Sequence, residues 1–267
     1  MTLVPNARAR FEETGLRQQW TLFRTLWIRD FSAQYRRAKF GIGWAVIQPL
    51  FYMTVFIGLR LFLDIPSEGL PYPVFVFSAL MPWLYISNAL NRSGASVVSN
   101  ADIIKKISVN RFIFPLVSAS LPLVDLTVMA LGMFGLMIAF GVPLGPHLLW
   151  LAPLLLLLTG FAVGLGLLIC AIGTFVRDIL VALPVVLQAF LFVSPIVYPI
   201  DIVPEALRGI YILNPLVGLL ESFRSVLGRG TAPDMEMLIS PVAVTIIMWI
   251  IAVPLYQKLS RYFSDVL

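Results

Sequence analysis

From position 40 to the C-terminus this chain is a succession of apolar runs, each about as long as a bilayer is thick. No other feature restricts its fold so severely. A helix needs about 20 apolar residues to cross the hydrocarbon core. Backbone N–H and C=O groups meet no water at that depth, so only helices and closed barrels can span it. Six runs qualify, at about 40–63, 74–98, 112–140, 148–175, 180–198 and 238–256. They are uninterrupted, whereas barrel strands would alternate over segments of about ten residues. The expected fold is an all-α integral membrane protein with six transmembrane helices. Composition agrees: 59% of the residues are hydrophobic and 12% charged, where soluble domains carry about 25% charged residues.

The basic residues set the orientation. Eight of the 19 Lys and Arg residues precede the first run: Arg8, Arg10, Arg17, Arg24, Arg29, Arg36, Arg37 and Lys39. Segments rich in Lys and Arg stay on the cytoplasmic side. With the N-terminus inside, segments 1–39, 99–111, 176–179 and 257–267 are internal and hold 14 of the 19. The first two outer loops, 64–73 and 141–147, hold none. Arg60 and Arg92 fall near span ends, where they can snorkel to the interface. Both termini are therefore expected in the cytoplasm. The formal charge of +5 sits beside the membrane, where anionic headgroups attract it, and is no nucleic-acid signal. Residues 1–39 form a basic cytoplasmic segment ahead of a transmembrane domain at 40–267. In that segment Leu16, Trp20, Phe23, Trp27 and Phe31 share one helical face, with Arg17 and Arg24 at its edge. Such a stripe suits an interfacial amphipathic helix lying among the headgroups. The alternative is a disordered basic arm that serves only topology. No compact apolar core with a small-residue cleavage site marks a signal peptide.

Catalytic chemistry finds few residues here. The chain has one histidine, His147, and one cysteine, Cys170. Metal clusters, Cys/His catalysis and an intrachain disulfide are excluded by that count. No G-x-x-x-x-G-K-[ST] phosphate loop occurs, so ATP cannot be held in that way. Asp125 lies deep within a span, which makes it a functional hypothesis by default, although neighbouring hydroxyls can equally cap a lone acid. Gly160, Gly164, Gly166 and Gly173 allow close helix approach and weakly suggest a dimer face. The second run carries Ser78, Ser87, Asn88, Asn91, Arg92, Ser93 and Ser96. Such a helix faces protein or water, lining a pathway or packing inside its own subunit. Segment 199–237 is too long for a hairpin. Its apolar stretch 210–220 is too short to span and is broken at Asn214-Pro215, because proline removes a backbone donor and clashes with the preceding turn. An outer re-entrant helical segment between spans five and six is the expected form, its freed backbone buried in protein or lining a wet cavity. Glu221 and Arg224 are three apart on one helix face and can pair.

Ordered along the chain stand Arg29-Asp30-Phe31, Tyr35-Arg36, Phe40-Gly41, Trp44 and Gln48-Pro49. Leu80-Met81-Pro82-Trp83 follows in the second run, and the inner loop reads Asn100-Ala101-Asp102-Ile103-Ile104-Lys105-Lys106, with Arg111 and Pro115 after it. The fourth run ends in Phe175-Val176-Arg177-Asp178 and the fifth in Ser194-Pro195-Ile196-Val197-Tyr198-Pro199, before Val203-Pro204. Asn214-Pro215 and Glu221-Ser222-Phe223-Arg224 complete the series. This pattern, over about residues 20–225, resembles the permease subunits of type-2 ABC exporters. It is most similar to the group that moves lipid-linked polysaccharides such as O-antigen, capsule and teichoic acid. Two places depart from it: Gln34 stands where Arg often precedes the tyrosine, and Val109-Asn110 replaces the usual Phe-Pro before Arg111.

The resemblance implies a half-transporter of the bacterial inner membrane. A second copy of the chain completes the pathway for a lipid-linked glycan, and two separate ATPase subunits dock from the cytoplasm and carry the ATP and Mg. No cofactor or metal belongs to this chain, which is not itself an enzyme. Loop 99–111 is then the coupling element. Asn100 caps a short helix, Ile103 and Ile104 give an apolar contact, and Asp102, Lys105, Lys106 and Arg111 flank it. Sugar rings stack on aromatic faces, so Phe51, Tyr52, Trp83, Tyr85, Phe190 and Tyr198, with Asn88, are candidates for the pathway. Each of these aromatics can equally serve a core or an interface. Asn214, Pro215, Glu221 and Arg224 are candidates for an outer gate. The same architecture exporting a drug or small lipid is an alternative. An ion-coupled secondary transporter would show internal symmetry, and no repeat relates 40–140 to 148–256. A purely structural membrane subunit would not need so polar a second span.

Overall fold

The computed structural model of the chain describes residues 15–36, 39–106 and 109–267. Arg8, Arg10 and Arg37 of the basic segment, and positions 107–108 of the inner loop, lie outside the described residues. Among the described residues the structure is helical, without strands. The α-helices are α1 (Leu16–Tyr35), α2 (Trp44–Leu63), α3 (Tyr72–Ser99), α4 (Ala101–Lys106), α5 (Ile113–Ser120) and α6 (Pro122–Ala139). They continue with α7 (Leu151–Gly173), α8 (Arg177–Val193), α9 (Glu205–Leu213), α10 (Pro215–Arg224), α11 (Met235–Ser260) and α12 (Phe263–Val266).

Five segments are long and apolar enough to cross a membrane: Gly41–Leu63, Tyr72–Ser99, Ile113–Ala139, Pro146–Gly173 and Met235–Ser260. Each lies within four residues of a run expected from the sequence. α9 and the stretch Pro215–Arg229 are bent by 93° at Asn214 and make a further span only if counted as one. The fifth expected run differs. Its helix, α8, has 17 residues and stops at Val193, whereas the apolar sequence runs on to Tyr198. Ser194 is extended, as a residue before proline prefers to be, and Pro195 has no N–H with which to continue the helix.

α3 is the axis of the subunit. It packs against α2, α5, α6, α7, α8 and α10, and 83% of its apolar window is buried, against 11% for the α2 span and 17% for α11. Most of the polar second run therefore packs inside its own subunit. Several of its polar groups are bonded there: Ser93 Oγ donates to the Pro115 carbonyl at 3.2 Å, Ser96 Oγ to the Ser93 carbonyl at 2.7 Å, and Asn91 Nδ2 to the Ser87 carbonyl at 3.0 Å, whereas Asn88 and Arg92 line a cavity. Small residues bring the helices together. A Cβ at Gly166 would meet Ser93 at 2.8 Å, one at Gly173 would meet Leu180 at 2.5 Å, and Gly160 and Gly164 lie under Trp249 of α11. The glycine series thus packs helices within one chain, the close approach that its sequence implied. Trp249 Nε1 donates to the Gly160 carbonyl at 2.9 Å, which that close approach permits.

α1 packs on α5. Its buried residues among those described are Leu26 and Tyr35, and Leu26 belongs to a second apolar cluster with Val97, Ile104, Phe114, Tyr256 and Phe263. Phe23 and Trp27 pack on that cluster, while Trp20 is exposed. The aromatic stripe is therefore divided between protein and surroundings.

The closest backbone approach is at Gly218, where a Cβ would fall 1.9 Å from the Met237 carbonyl oxygen. No rotamer change relieves a backbone clash, so Gly218→Ala must push α10 off α11, and overpacking of this kind costs about 1–3 kcal/mol or more. We expect this variant to melt earlier in detergent and to accumulate poorly. Gly58→Ala, with nothing within 4 Å, should match the parent. Equal melting of both variants would show that the α10–α11 contact is looser than described.

Candidate functional site

The bend at Asn214 is built by two adjacent residues. Asn214 Oδ1 accepts from Leu216 N–H at 3.1 Å, and Pro215 occupies the first turn, where its missing N–H costs nothing. α10 then carries Glu221 and Arg224 into the core, and the expected pair forms, Arg224 Nη1 donating to Glu221 Oε2 at 2.5 Å. Arg224 is 0% exposed. Its guanidinium lies over the Phe75 ring, 3.9 Å from the centroid. Nε donates to the Phe75 carbonyl at 3.3 Å, and Nη2 donates to the carbonyls of Ile196, at 3.2 Å, and Pro195. The backbone released where α8 breaks is thus satisfied by this side chain, with Tyr72 Oη donating to the Val197 carbonyl at 3.1 Å. Glu221 also accepts from Arg229, which in turn pairs with Glu68 in the α2–α3 loop. Two acids and two bases close a neutral chain joining three segments.

The loop 99–111 is organised differently from expectation. α4 does form, but Asn100 does not cap it with its side chain. Its backbone carbonyl accepts from the N–H groups of Ile103 and Ile104, each at 3.1 Å. Its side chain donates to the Ser96 carbonyl at 2.8 Å and accepts from Arg29 of α1 at 2.6 Å. The amide is used as a bridge between α1 and α3, because the basic helix lies within its reach. Ile104 is buried in the second cluster and Ile103 packs on its edge, while Asp102, Lys105 and Lys106 are exposed. Arg111 does not flank an open surface: it donates to Ser264 Oγ at 2.6 Å, and its carbonyl accepts from Tyr256 Oη at 2.9 Å.

The aromatic candidates separate. Trp83 and Tyr85, each 1% exposed, belong to the core around α3, and a ring without a free face cannot stack on a ligand. Tyr198 closes the end of α8, donating to the Phe192 and Val193 carbonyls at 3.0 Å and accepting from Tyr211 Oη at 3.3 Å. Phe51 and Phe190 are exposed, and Tyr52 is half-buried beside Phe56. Asn88 lines a cavity of about 270 Å3 between α1, α2, α3 and α6. There Tyr35 Oη donates to Asp125 Oδ1 at 2.5 Å. Burial, and then Asp125 as acceptor, push the Tyr35 phenol well above its ordinary range, so it remains a donor. The partner of Asp125 lies 90 residues away, and no local pattern signals it.

Residues 21–227 match the family described as ABC-2 type transporter. Among curated proteins the chain is 25% identical to the O-antigen export system permease protein RfbA of Myxococcus xanthus over 244 residues, 89% of this chain and 92% of that one. It is 25% identical to the protein of that name from Klebsiella pneumoniae, over 90% of this chain and 92% of that one. It is 24% identical to the polysialic acid transport protein KpsM of Escherichia coli, over 81% of this chain and 85% of that one.

Arg224→Ala strands Glu221 and leaves the Pro195 and Ile196 carbonyls without that donor. Breaking a buried ion pair from one side costs about 3–5 kcal/mol, so we expect the variant to be nearly absent from membranes. Arg224→Lys should rescue it only in part, since one ammonium cannot replace a fork of donors stacked on a ring. Full abundance and unchanged melting of Arg224→Ala would remove the structural role.

Proposed function

The chain belongs to the ABC-2 type transporter family, and from that premise we propose that it is the permease subunit of an ATP-driven exporter of a lipid-linked polysaccharide, acting as a homodimer in a bacterial cytoplasmic membrane. The observation that carries this reading is the similarity along nearly the full length of both chains to permeases named for O-antigen export. Similarity to a polysialic acid transport protein widens the class to surface glycans in general. ATP hydrolysis resides on two partner subunits, in keeping with a chain that carries no phosphate loop.

In this reading the spans are α2, α3, α5 with α6, α7, α8 and α11. The bent pair α9–α10 enters from outside and returns, α1 lies at the inner interface, and both termini are cytoplasmic. α8 spans at the lower limit of length, about 17 residues. α2 and α8 present apolar faces that one copy leaves uncovered, including Phe51, 67% exposed, and Phe190. A second copy covers such faces, and the glycan passes between. The ATPase docks on α4, whose outer side offers Ile103 framed by Asp102, Lys105 and Lys106. Arg29 and Asn100 then transmit movement of that site to α1.

Depletion of the chain should remove the surface glycan and trap its lipid-linked form at the inner leaflet. Unchanged surface glycan after depletion would refute the assignment. Ile103→Asp places an unpaired carboxylate in the docking contact, a loss of a few kcal/mol, so ATPase co-purification should fall at least tenfold while the permease still inserts. Normal co-purification would move the dock elsewhere. For topology, an impermeant thiol reagent applied to intact cells should label Leu144→Cys and not Tyr262→Cys, both positions being exposed and Cys170 buried. Labelling at 262 would overturn the orientation.

A further inference from the structure

The cavity beside Asp125 has the features of a binding site that the structure leaves unexplained. Its polar groups come from four elements: Gln34 and Tyr35 of α1, Gln48 of α2, Asn88 and Arg92 of α3, and Asp125 of α6. Buried polar groups are ordinarily hydrogen-bonded. Here Gln34 Oε1 is buried and has no hydrogen-bond partner among the described residues. Among the described residues, Gln48, Asn88 and Arg92 make no hydrogen bond or ion pair, although all three line the same cavity. Asp125 accepts at Oδ1 from Tyr35, and its other oxygen accepts no hydrogen bond among the described residues. Gln48 is exposed and Asn88 and Arg92 are half-buried, so their hydrogen-bonding groups stay open to whatever enters the cavity, and Gln34 Oε1 is the buried acceptor that a ligand would satisfy.

The inventory specifies the ligand's chemistry. Primary amides offer both donors and acceptors, the guanidinium offers donors, and the carboxylate offers acceptors. One cation and one anion line the space, so a neutral ligand suits it better than a phosphate, which Asp125 would repel. Trp44, half-exposed at the rim, supplies an aromatic face for apolar C–H groups. A volume of about 270 Å3 lies just below the range of pockets that hold drug-sized molecules, about 300–1,000 Å3, and therefore accommodates one ring and not an oligosaccharide. Arg92 stands seven residues before the end of α3 at Ser99, about 10 Å along the helix axis. In the orientation proposed above, the cavity then opens just inside the cytoplasmic headgroup region, beside the turn from α1 into α2.

We propose that this cavity is a subsite for a single sugar ring of the lipid-linked glycan, held within one subunit before the glycan enters the path between subunits. Asn88, Gln48, Arg92 and Asp125 bond its hydroxyl groups, Gln34 Oε1 accepts from one of them, and Trp44 covers one face. The proposal rests on the export function proposed above. α1 forms one wall through Gln34 and Tyr35 and is bonded through Arg29 to Asn100, next to the docking helix. Occupancy of the cavity is thereby linked to the ATPase side of the protein.

The test uses the complete permease–ATPase complex in lipid nanodiscs without ATP. Its probe is a radiolabelled polyprenyl diphosphate carrying one N-acetylglucosamine, compared with the same carrier lacking sugar and with phosphatidylethanolamine. We expect the sugar-bearing lipid to bind more tightly than either. Loss of one neutral hydrogen-bonding group should reduce its advantage about three- to tenfold in each of Asn88→Leu and Gln48→Leu. These side chains hold nothing in the fold, so both variants should melt like the parent, and an exposed control, Phe62→Ala, should bind like it. An undiminished sugar preference in both variants would overturn the proposal. Equal binding of all three lipids would overturn it too, and make the cavity a headgroup pocket. ATPase stimulation, measured on the same complexes, separates the two levels. Stimulation by the sugar-bearing lipid with no change in the variants sinks the cavity alone, whereas no stimulation by any glycolipid sinks the export reading beneath it.

Discussion

The half of this subunit built around α10 depends on one buried guanidinium. Two breaks in helical backbone, after Val193 and at Asn214, fall in sequence apolar enough to lie at membrane depth. Each break frees carbonyl and amide groups that lipid cannot satisfy. Asn214 caps the second break locally. At the first, Tyr198 serves the last carbonyls of α8 locally, and Arg224 serves those of Pro195 and Ile196 from 28–29 residues away, with Glu221 as its counter-ion. A buried pair of this kind need not add net stability. Its value here is geometric: it fixes where the end of α8 sits relative to α3 and α10, while Arg229 and Glu68 bind the neighbouring loop to the same point.

The opposite half is joined by an apolar cluster. Leu26, Val97, Ile104, Tyr256 and Phe263 bring α1, α3, α4, α11 and α12 into one apolar cluster. Asn100 and Arg111 are the polar bolts through it, one toward α1 and the other toward Ser264. Arg29 and Asn100 thus tie the end of α3, next to α4, to α1, which also forms a wall of the Tyr35–Asp125 cavity. α3 lies between the two halves as a rigid axis, buried along most of its length. Its polar residues are accommodated in three ways: Ser78, Asn91 and Ser96 bond to carbonyls of α3 itself, Ser93 bonds to α5, and Asn88 and Arg92 line a cavity.

Reading the sequence identified most of the spans because length and hydropathy are local properties, set by bilayer thickness. The break at Asn214-Pro215 and the Glu221–Arg224 pair were legible for the same reason: a proline's missing donor and a three-residue helical spacing need no knowledge of neighbours. Partners distant in sequence were legible only as classes, not as residues. Asn100 looked like a cap because its neighbours form a helix, yet Arg29 claimed its oxygen. Trp83 and Tyr85 suited either a pathway or a core, and the central place of α3 puts them in the core. The glycines of α7 implied close helix approach without naming Trp249, Ser93 and Leu180 as what approaches. A hydroxyl on a neighbouring helix was one expected cap for Asp125, and only packing identifies it as that of Tyr35.

The sequence by itself determined the helical class, the placement of five long spans, the bend before α10 and the identity of one ion pair, each following from periodicity, length or spacing within one segment. Tertiary structure alone decided which helix is central, where α8 ends against Arg224, and that four helices gather unpaired amides, Arg92 and Asp125 around one cavity. Those outcomes depend on contacts between segments tens of residues apart, whose geometry is fixed only when the helices pack.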